Sequence, residues 1–96
     1  MRRAARTDRN HSEVVEALRR CGATVQSLAA VGSGVPDLLV GFRGQTLLVE
    51  VKDGSRSPSE RKLTPDQVEW HDAWRGSPVW VIHDVSEAVV KLGAVA

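Results

Sequence analysis

Cysteine and long hydrophobic runs are both scarce in this sequence of 96 residues. Cys21 is the only cysteine, so no disulfide can form within the chain. Unbroken apolar stretches, such as residues 38–40 and 47–49, fall far short of the roughly 18 to 20 residues that a membrane helix needs. Residues 1–9 are polar and arginine-rich with no apolar segment behind them, which argues against a secretory signal. These absences predict a protein without a membrane span in a reducing, cytoplasmic setting.

The chain is also short. Its 96 residues can build one core, because chains divide into several domains only well above this size, so a multidomain enzyme is excluded. Hydrophobic residues make up 42% of the sequence and charged residues 26%, a composition too apolar for a disordered tail. We therefore expect a single folded domain over residues 1–96, in which residues 1–9 form a basic N-terminal tail.

The formal net charge is only +1, yet the charges are distributed unevenly along the chain. Residues 1–9 contain four arginines and one aspartate, and residues 52–62 contain four basic and two acidic residues. Residues 63–96 carry the compensating excess of acidic side chains. Two concentrated basic segments favour a polyanionic partner.

Hydrophobic periodicity and turn residues predict an α/β domain in the order αβββαβα. Helices are predicted from the Asn10 cap to Gly22, from the Thr64 cap to Gly76 and over residues 86–92, and strands over residues 24–30, 36–42, 45–52 and 78–83. Residues 53–62 have neither the apolar content nor the period of an element, which predicts a mobile basic loop. The central strands are nearly continuously apolar, so we expect a mixed sheet flanked by helices on both faces. The spacing of Asn10 and Glu13 predicts a capping box, and Cys21, Trp70, Trp74 and Trp80 are predicted to lie in the core.

Three charged residues lie where the predicted central hairpin ends. Glu50 and Lys52 are two apart on one strand and therefore project from the same face. The short turn at residues 43–44 brings the start of the preceding strand beside them, so Asp37 comes nearly opposite Glu50. The sequence thus predicts that two carboxylates and one ammonium group converge.

Two adjacent carboxylates repel each other unless a cation neutralises them. Mg²⁺ takes one or two carboxylates, with waters and phosphate oxygens completing its shell. Asp37, Glu50 and a backbone carbonyl such as that of Val51 would form a minimal platform for this ion. A bound metal would activate water and neutralise a phosphoryl oxygen, while Lys52 would orient that water or stabilise the transition state. The arrangement favours phosphodiester hydrolysis, and the alternative is a structural ion pair at a strand edge.

The sequence around these residues resembles a known family. Pro36-Asp37, twelve further residues and then Glu50-Val51-Lys52 resemble the PD-(D/E)XK nuclease motif. The segments GVPDLLV, LLVEVKDG and LTPDQ are similar to those of the VRR-NUC branch and its Holliday-junction-resolvase relatives, over about residues 11 to 83. The resemblance implies a restriction-endonuclease-like core, with Asp37 and Glu50 as ligands of Mg²⁺ or Mn²⁺. It further implies that Lys52 is the catalytic lysine and that Gln67 is a catalytic-site glutamine.

One position departs from that family pattern. Similar sequences carry a metal-binding glutamate on the first helix, eleven residues before the glycine that follows it, and here that position is His11. Glu13 lies two residues later, about 200° around the helix, and would point elsewhere. Three alternatives follow: His11 binds the metal, Glu13 replaces it through a register shift, or the site lacks one ligand. An imidazole ligand would favour Mn²⁺ over Mg²⁺.

The leading hypothesis from this resemblance is a metal-dependent DNA endonuclease, selective for branched or Holliday-junction DNA. Two cuts in one junction favour a homodimer, and the compact form resembles phage-encoded members acting in the host cytoplasm. The side chains predicted to contact DNA phosphates are Arg56, Arg61 and Lys62 in the basic loop, and Arg2 and Arg3 in the tail. The missing glutamate motivates an alternative, a catalytically weak nucleic-acid-binding or assembly module that retains the nuclease fold. A third reading is a small structural domain whose carboxylates only pair with Lys52.

Overall fold

The order of elements along the chain is αβββαβα, which confirms the prediction. The computed structural model describes residues 8–96. Its elements are α1 (His11–Arg20), β1 (Thr24–Ser27), β2 (Leu38–Phe42), β3 (Gln45–Val51), α2 (Pro65–Ala73), β4 (Trp80–Ile82) and α3 (Val85–Gly93). None of the helices within residues 8–96 has the length and apolar character needed to cross a membrane.

The four strands form one mixed sheet in the order β1-β2-β3-β4. The pairs β1/β2 and β2/β3 are antiparallel, whereas β3 and β4 run parallel. A parallel pair needs a crossover connection, and the basic loop together with α2 supplies it. The predicted mixed sheet is therefore confirmed.

A two-residue turn sets the register of the central hairpin. Phe42 pairs with Gln45, so Arg43 and Gly44 alone connect β2 to β3. Both have positive φ angles, +51° and +77°, as a turn that matches the twist of a hairpin requires. The register continues outward to the pair of Leu38 with Val49. The next residues beyond this pair are Asp37 and Glu50.

One face of the sheet carries the hydrophobic core. The buried apolar side chains are Val14, Leu18, Ala23, Val25, Leu38, Val40, Leu47, Val49, Val51, Ile82, Ala88 and Leu92. They come from the sheet and from the inner faces of α1 and α3, which pack against each other. The opposite face is covered differently, because α2 contains no fully buried residue and Leu39 on β2 is 37% exposed. Helices flank both faces as predicted, but only one face is sealed by apolar packing.

Several local predictions are wrong in detail. The predicted strand 24–30 ends at Ser27, because Leu28 makes the last bond to the neighbouring strand and a turn follows. Cys21 is exposed, since α1 ends at Arg20 and leaves the cysteine at the helix C-cap. Trp74 is 41% exposed and stacks on Trp70 at a centroid distance of 5.1 Å, so this pair lies at the surface of α2.

The predicted capping box at the start of α1 does not form. Asn10 occupies the N-cap position, but its side chain makes no bond to the helix. Its amide instead donates to the main-chain carbonyls of Lys52, at 3.1 Å, and His83, at 2.9 Å. Asn10 therefore ties the start of α1 to the ends of the two parallel strands.

Candidate active site

Asp37 and Glu50 lie side by side at the end of the central hairpin. Their residues are 9% and 1% exposed, and the two carboxyl groups adjoin each other. Asp37 Oδ2 also accepts the main-chain N–H of Val51 at 2.9 Å. Burial, followed by the adjoining Asp37 carboxyl, raises the pKa of Glu50 to about 9. Without a cation, Glu50 therefore keeps a proton at neutral pH, and a cation bound there must displace it.

Gln67 connects the lysine to the glutamate. Lys52 Nζ donates to Gln67 Oε1 at 2.7 Å, and Gln67 Nε2 donates to Glu50 Oε2 at 3.1 Å. Gln67 Oε1 also accepts the main-chain N–H of Thr64 at 2.9 Å, as part of the capping box that begins α2. The same contact that starts the helix therefore fixes the side chain between Glu50 and Lys52.

The first turn of α2 is held over this site by a close backbone approach. Gly34 has a φ of +84° and lies against the main-chain carbonyl of Asp66, which leaves no room for a Cβ atom. The glycine-rich segment before β2 thereby determines where α2 begins. Four of the predicted site residues, Asp37, Glu50, Lys52 and Gln67, are brought together as a result.

The donor set at Glu50 fits a divalent cation. Glu50 Oε1 is buried and has no hydrogen-bond partner, which is unfavourable for a carboxyl oxygen unless a ligand satisfies it. Asp37 adds a second carboxylate beside it, and oxygen atoms of this kind are what Mg²⁺ and Mn²⁺ prefer. No group of three or more His, Cys, Asp or Glu side chains is ready to hold a metal within residues 8–96. Main-chain oxygens, water or phosphate would therefore have to complete the shell.

His11 is the first residue of α1, and its buried Nδ1 atom has no hydrogen-bond partner. The residue lines a groove along α1 together with Ser27 at the end of β1. No hydrogen bond or ion pair joins it to Asp37 or Glu50 in the described part of the chain. Glu13 is exposed and lines a different groove with Val85. Metal ligation by His11 therefore stays a prediction.

His71 is a site residue that the sequence reasoning missed. It lies one turn after Gln67 on α2, and its Nε2 atom is 4.0 Å from Glu50 Oε1. The spacing of four residues from Gln67 was the available signal, because residues i and i+4 share a helix face.

The basic loop consists of hydrogen-bonded turns anchored at Asp53. Asp53 Oδ1 accepts the N–H of Ser55 at 3.0 Å and its hydroxyl at 2.6 Å, and Arg9 Nε donates to Asp53 Oδ2 at 3.2 Å. Arg61 donates to the carbonyl of Gly54 at 3.1 Å. Arg56 lies between two carboxylates, 3.8 Å from Asp53 and 3.5 Å from Glu60, and Lys62 is exposed. Arg2 and Arg3 lie outside the described residues.

We expect Asp53 to make the loop sensitive to acid. Bonds from the Ser55 hydroxyl and amide, and then from Arg9, lower the pKa of Asp53 from 3.8 to about 2. A carboxyl group whose pKa is lowered by folding stabilises the fold at pH values above its pKa in the unfolded chain. This contribution is lost as the pH falls from about 4 towards about 2. Melting temperatures of the wild type and Asp53→Asn should differ most above pH 5 and converge only as the pH approaches 2. A difference that stays constant from pH 5 to pH 2 would contradict the assignment.

Fold and site together define a class of protein. A mixed four-stranded sheet in αβββαβα order, with two carboxylates and a lysine at the end of its central hairpin, is typical of the restriction-endonuclease-like nucleases.

Comparison with known proteins agrees with this class. A solved structure described as a VRR_NUC domain is similar to this chain with a TM-score of 0.69 and 30% sequence identity, over 97% of this chain and 100% of that one. No family model matches the chain, and no curated protein sequence does. At this identity and coverage, the chain belongs to the VRR-NUC family and is a nuclease-type domain.

Proposed function

We propose that the protein is a divalent-metal-dependent endodeoxyribonuclease of PD-(D/E)XK type that cleaves branched DNA, including Holliday junctions, as a homodimer. The observation that carries the proposal is the buried Glu50 carboxyl, which has an unsatisfied oxygen and adjoins Asp37. A fold gains no stability from such a pair, so a role in binding a cation explains it better than packing does. We further propose that residues 1–96 form one such domain.

Asp37 and Glu50 would hold Mg²⁺ or Mn²⁺, together with main-chain oxygen such as that of Val51. A bound cation supplies an activated water and neutralises charge on the phosphoryl group. Lys52 provides a positive charge within the site, and its bond to Gln67 Oε1 holds the ammonium group in place for the attacking water or the transition state. Gln67 orients Glu50 by donating to Oε2, which leaves Oε1 available to the cation.

DNA recognition would depend on backbone charge rather than base sequence. The described chain has no element beyond the αβββαβα core that could serve as a base-reading module. The basic loop follows β3 directly, so Arg56, Arg61 and Lys62 lie on the segment that leaves the site. The terminal Arg2 and Arg3 are proposed to add phosphate contacts.

Neutralising the basic loop should weaken binding to every DNA substrate. The variant Arg56→Gln/Arg61→Gln/Lys62→Gln removes three positive charges, and each lost phosphate contact should reduce the salt slope of log Kd by about one unit. Arg56 is already paired with Asp53 and Glu60, so we expect the combined change to approach two units rather than three. Affinities measured between 50 and 200 mM salt would test this, with Arg75→Gln, which changes an exposed arginine after the end of α2, as the control. If the triple variant has the same salt slope as the wild type, the loop does not contact the DNA backbone.

A homodimer would place two sites on one junction, as two cuts require. The outer surface of α2 supports this assembly, because it exposes a groove in which Leu63, Pro65, Val68 and Ala73 lie beside the carboxylates of Glu69 and Asp72. Light scattering coupled to size-exclusion chromatography would determine the oligomeric state, and Val68→Glu should reduce it to a monomer if this groove is the interface.

The decisive experiment uses purified protein with linear, flapped and four-way DNA in Mg²⁺, Mn²⁺ or EDTA. We expect cleavage of the branched substrates with either metal and none with EDTA. Cleavage of linear DNA at the same rate would contradict the proposed structure selectivity. DNA binding without cleavage in any metal would instead support a catalytically weak binding or assembly module.

A further inference from the structure

Two buried polar atoms face each other across the site without touching. His71 Nε2 on α2 is 4.0 Å from Glu50 Oε1 on β3, and the two side chains are 14% and 2% exposed. Neither atom has a hydrogen-bond partner. Among the buried side-chain atoms of the described residues, only two others share this condition, Asn10 Oδ1 and His11 Nδ1.

Direct interaction does not account for the pair. A separation of 4.0 Å exceeds the range of a hydrogen bond. Desolvation of both atoms is therefore uncompensated unless a third species lies between them.

We propose that His71 is a nitrogen ligand of the cation held by Glu50, an inference that rests on the proposed metal-dependent function. Bonds from a divalent metal to an imidazole nitrogen and to a carboxylate oxygen are each about 2.0 to 2.2 Å long, as zinc sites illustrate. Two atoms bound to one ion lie at most about 4.0 to 4.4 Å apart, the sum of the two bonds. The observed 4.0 Å is close to this limit, so His71 Nε2 and Glu50 Oε1 would hold one cation between them once the side chains draw closer. Water and phosphate oxygens would complete the shell, and Asp37 would join it only after a side-chain adjustment, because no three such side chains are grouped for a metal within residues 8–96.

A nitrogen ligand changes which metal the site prefers. Imidazole binds Mn²⁺, Co²⁺ and Zn²⁺ more readily than it binds Mg²⁺, which favours an all-oxygen shell. His71 would thus give this chain a preference for Mn²⁺ over Mg²⁺ that does not depend on His11. His83 is not a comparable candidate, because its Nδ1 atom is already 3.1 Å from Glu87 Oε1.

Pulsed electron paramagnetic resonance of the Mn²⁺-loaded protein tests the proposal without measuring activity. Electron spin echo modulation detects a ¹⁴N nucleus bound directly to Mn²⁺. We expect this modulation in the wild type, in His11→Gln and in His83→Gln, and its loss in His71→Gln. The Kd for Mn²⁺ should rise by about 10-fold or more in His71→Gln, with a smaller change for Mg²⁺. Wild-type protein labelled with ¹⁵N-histidine should show the ¹⁵N pattern instead, which supports histidine ligation without any substitution.

The outcomes separate this inference from the proposed function. Mn²⁺ that binds without nitrogen modulation, or with modulation that is undiminished in His71→Gln, overturns the role of His71 and leaves metal dependence intact. Loss of modulation in His11→Gln alone assigns the nitrogen to His11 and also overturns the proposal. If the wild type binds no Mn²⁺ at all, the metal-dependent function fails together with it.

Discussion

Glu50→Gln should abolish DNA cleavage and at the same time raise the melting temperature of the metal-free protein. The loss of activity follows from removing a metal ligand and should exceed the roughly 10- to 100-fold typical of a supporting partner. The gain in stability follows from burial, since the native pKa of Glu50 is about 9 against an ordinary value of 4.5. Between these two pKa values Glu50 is protonated in the native state but ionised in the unfolded state. A rising pH therefore favours unfolding of the wild type. A glutamine does not ionise.

The measurement combines cleavage rates with melting temperatures at pH 5, 7 and 9, in EDTA and in Mn²⁺. We expect the stability advantage of Glu50→Gln in EDTA to grow with pH. We also expect Mn²⁺ to raise the melting temperature of the wild type but not that of Glu50→Gln. Asp37→Asn should lose cleavage similarly. Glu16→Gln, an exposed carboxylate on α1, is the control and should behave as the wild type. Near wild-type cleavage by Glu50→Gln or Asp37→Asn would refute the proposed metal platform.

Lys52→Met should abolish cleavage while leaving metal binding in place. The residue is 8% exposed, and methionine retains the apolar stem while removing the ammonium group that donates to Gln67. Loss of one preorganised charge that stabilises a transition state costs about 10²- to 10³-fold in rate. The Mn²⁺-induced rise in melting temperature should persist, because the two carboxylates are intact.

Lys62→Met provides the control for Lys52→Met, since it removes an exposed lysine from the basic loop. We expect it to weaken DNA binding at low salt and to retain the cleavage rate at saturating DNA. Single-turnover rates at saturating DNA distinguish the two variants. If Lys52→Met cleaves within about threefold of the wild type, the lysine is a structural partner of Gln67 and not part of the chemistry; this limit is far below the 10²-fold effect expected of a catalytic group.

The sequence alone was sufficient to predict the order of the helices and strands and the pairing of the two carboxylates. The order αβββαβα is predicted by the helical periods, the apolar runs and the turn at Arg43 and Gly44. The structure confirms this order. These signals are local, because turn chemistry and a two-residue loop determine the hairpin register. Once the register is fixed, Asp37 must come beside Glu50.

Only the tertiary structure decided what surrounds that pair. The bond from Asn10 to the carbonyl of Lys52 joins residues 42 positions apart, and local spacing instead suggested a helix cap. The approach of His71 to Glu50 depends on where α2 lies over the sheet, which is determined by the contact of Gly34 with Asp66. Periodicity fixes which face of an element is apolar, but the position of a helix held mainly by polar contacts follows from long-range geometry. The hairpin and its carboxylates are therefore predictable from the sequence, while the other groups around Glu50 are brought there only by the tertiary fold.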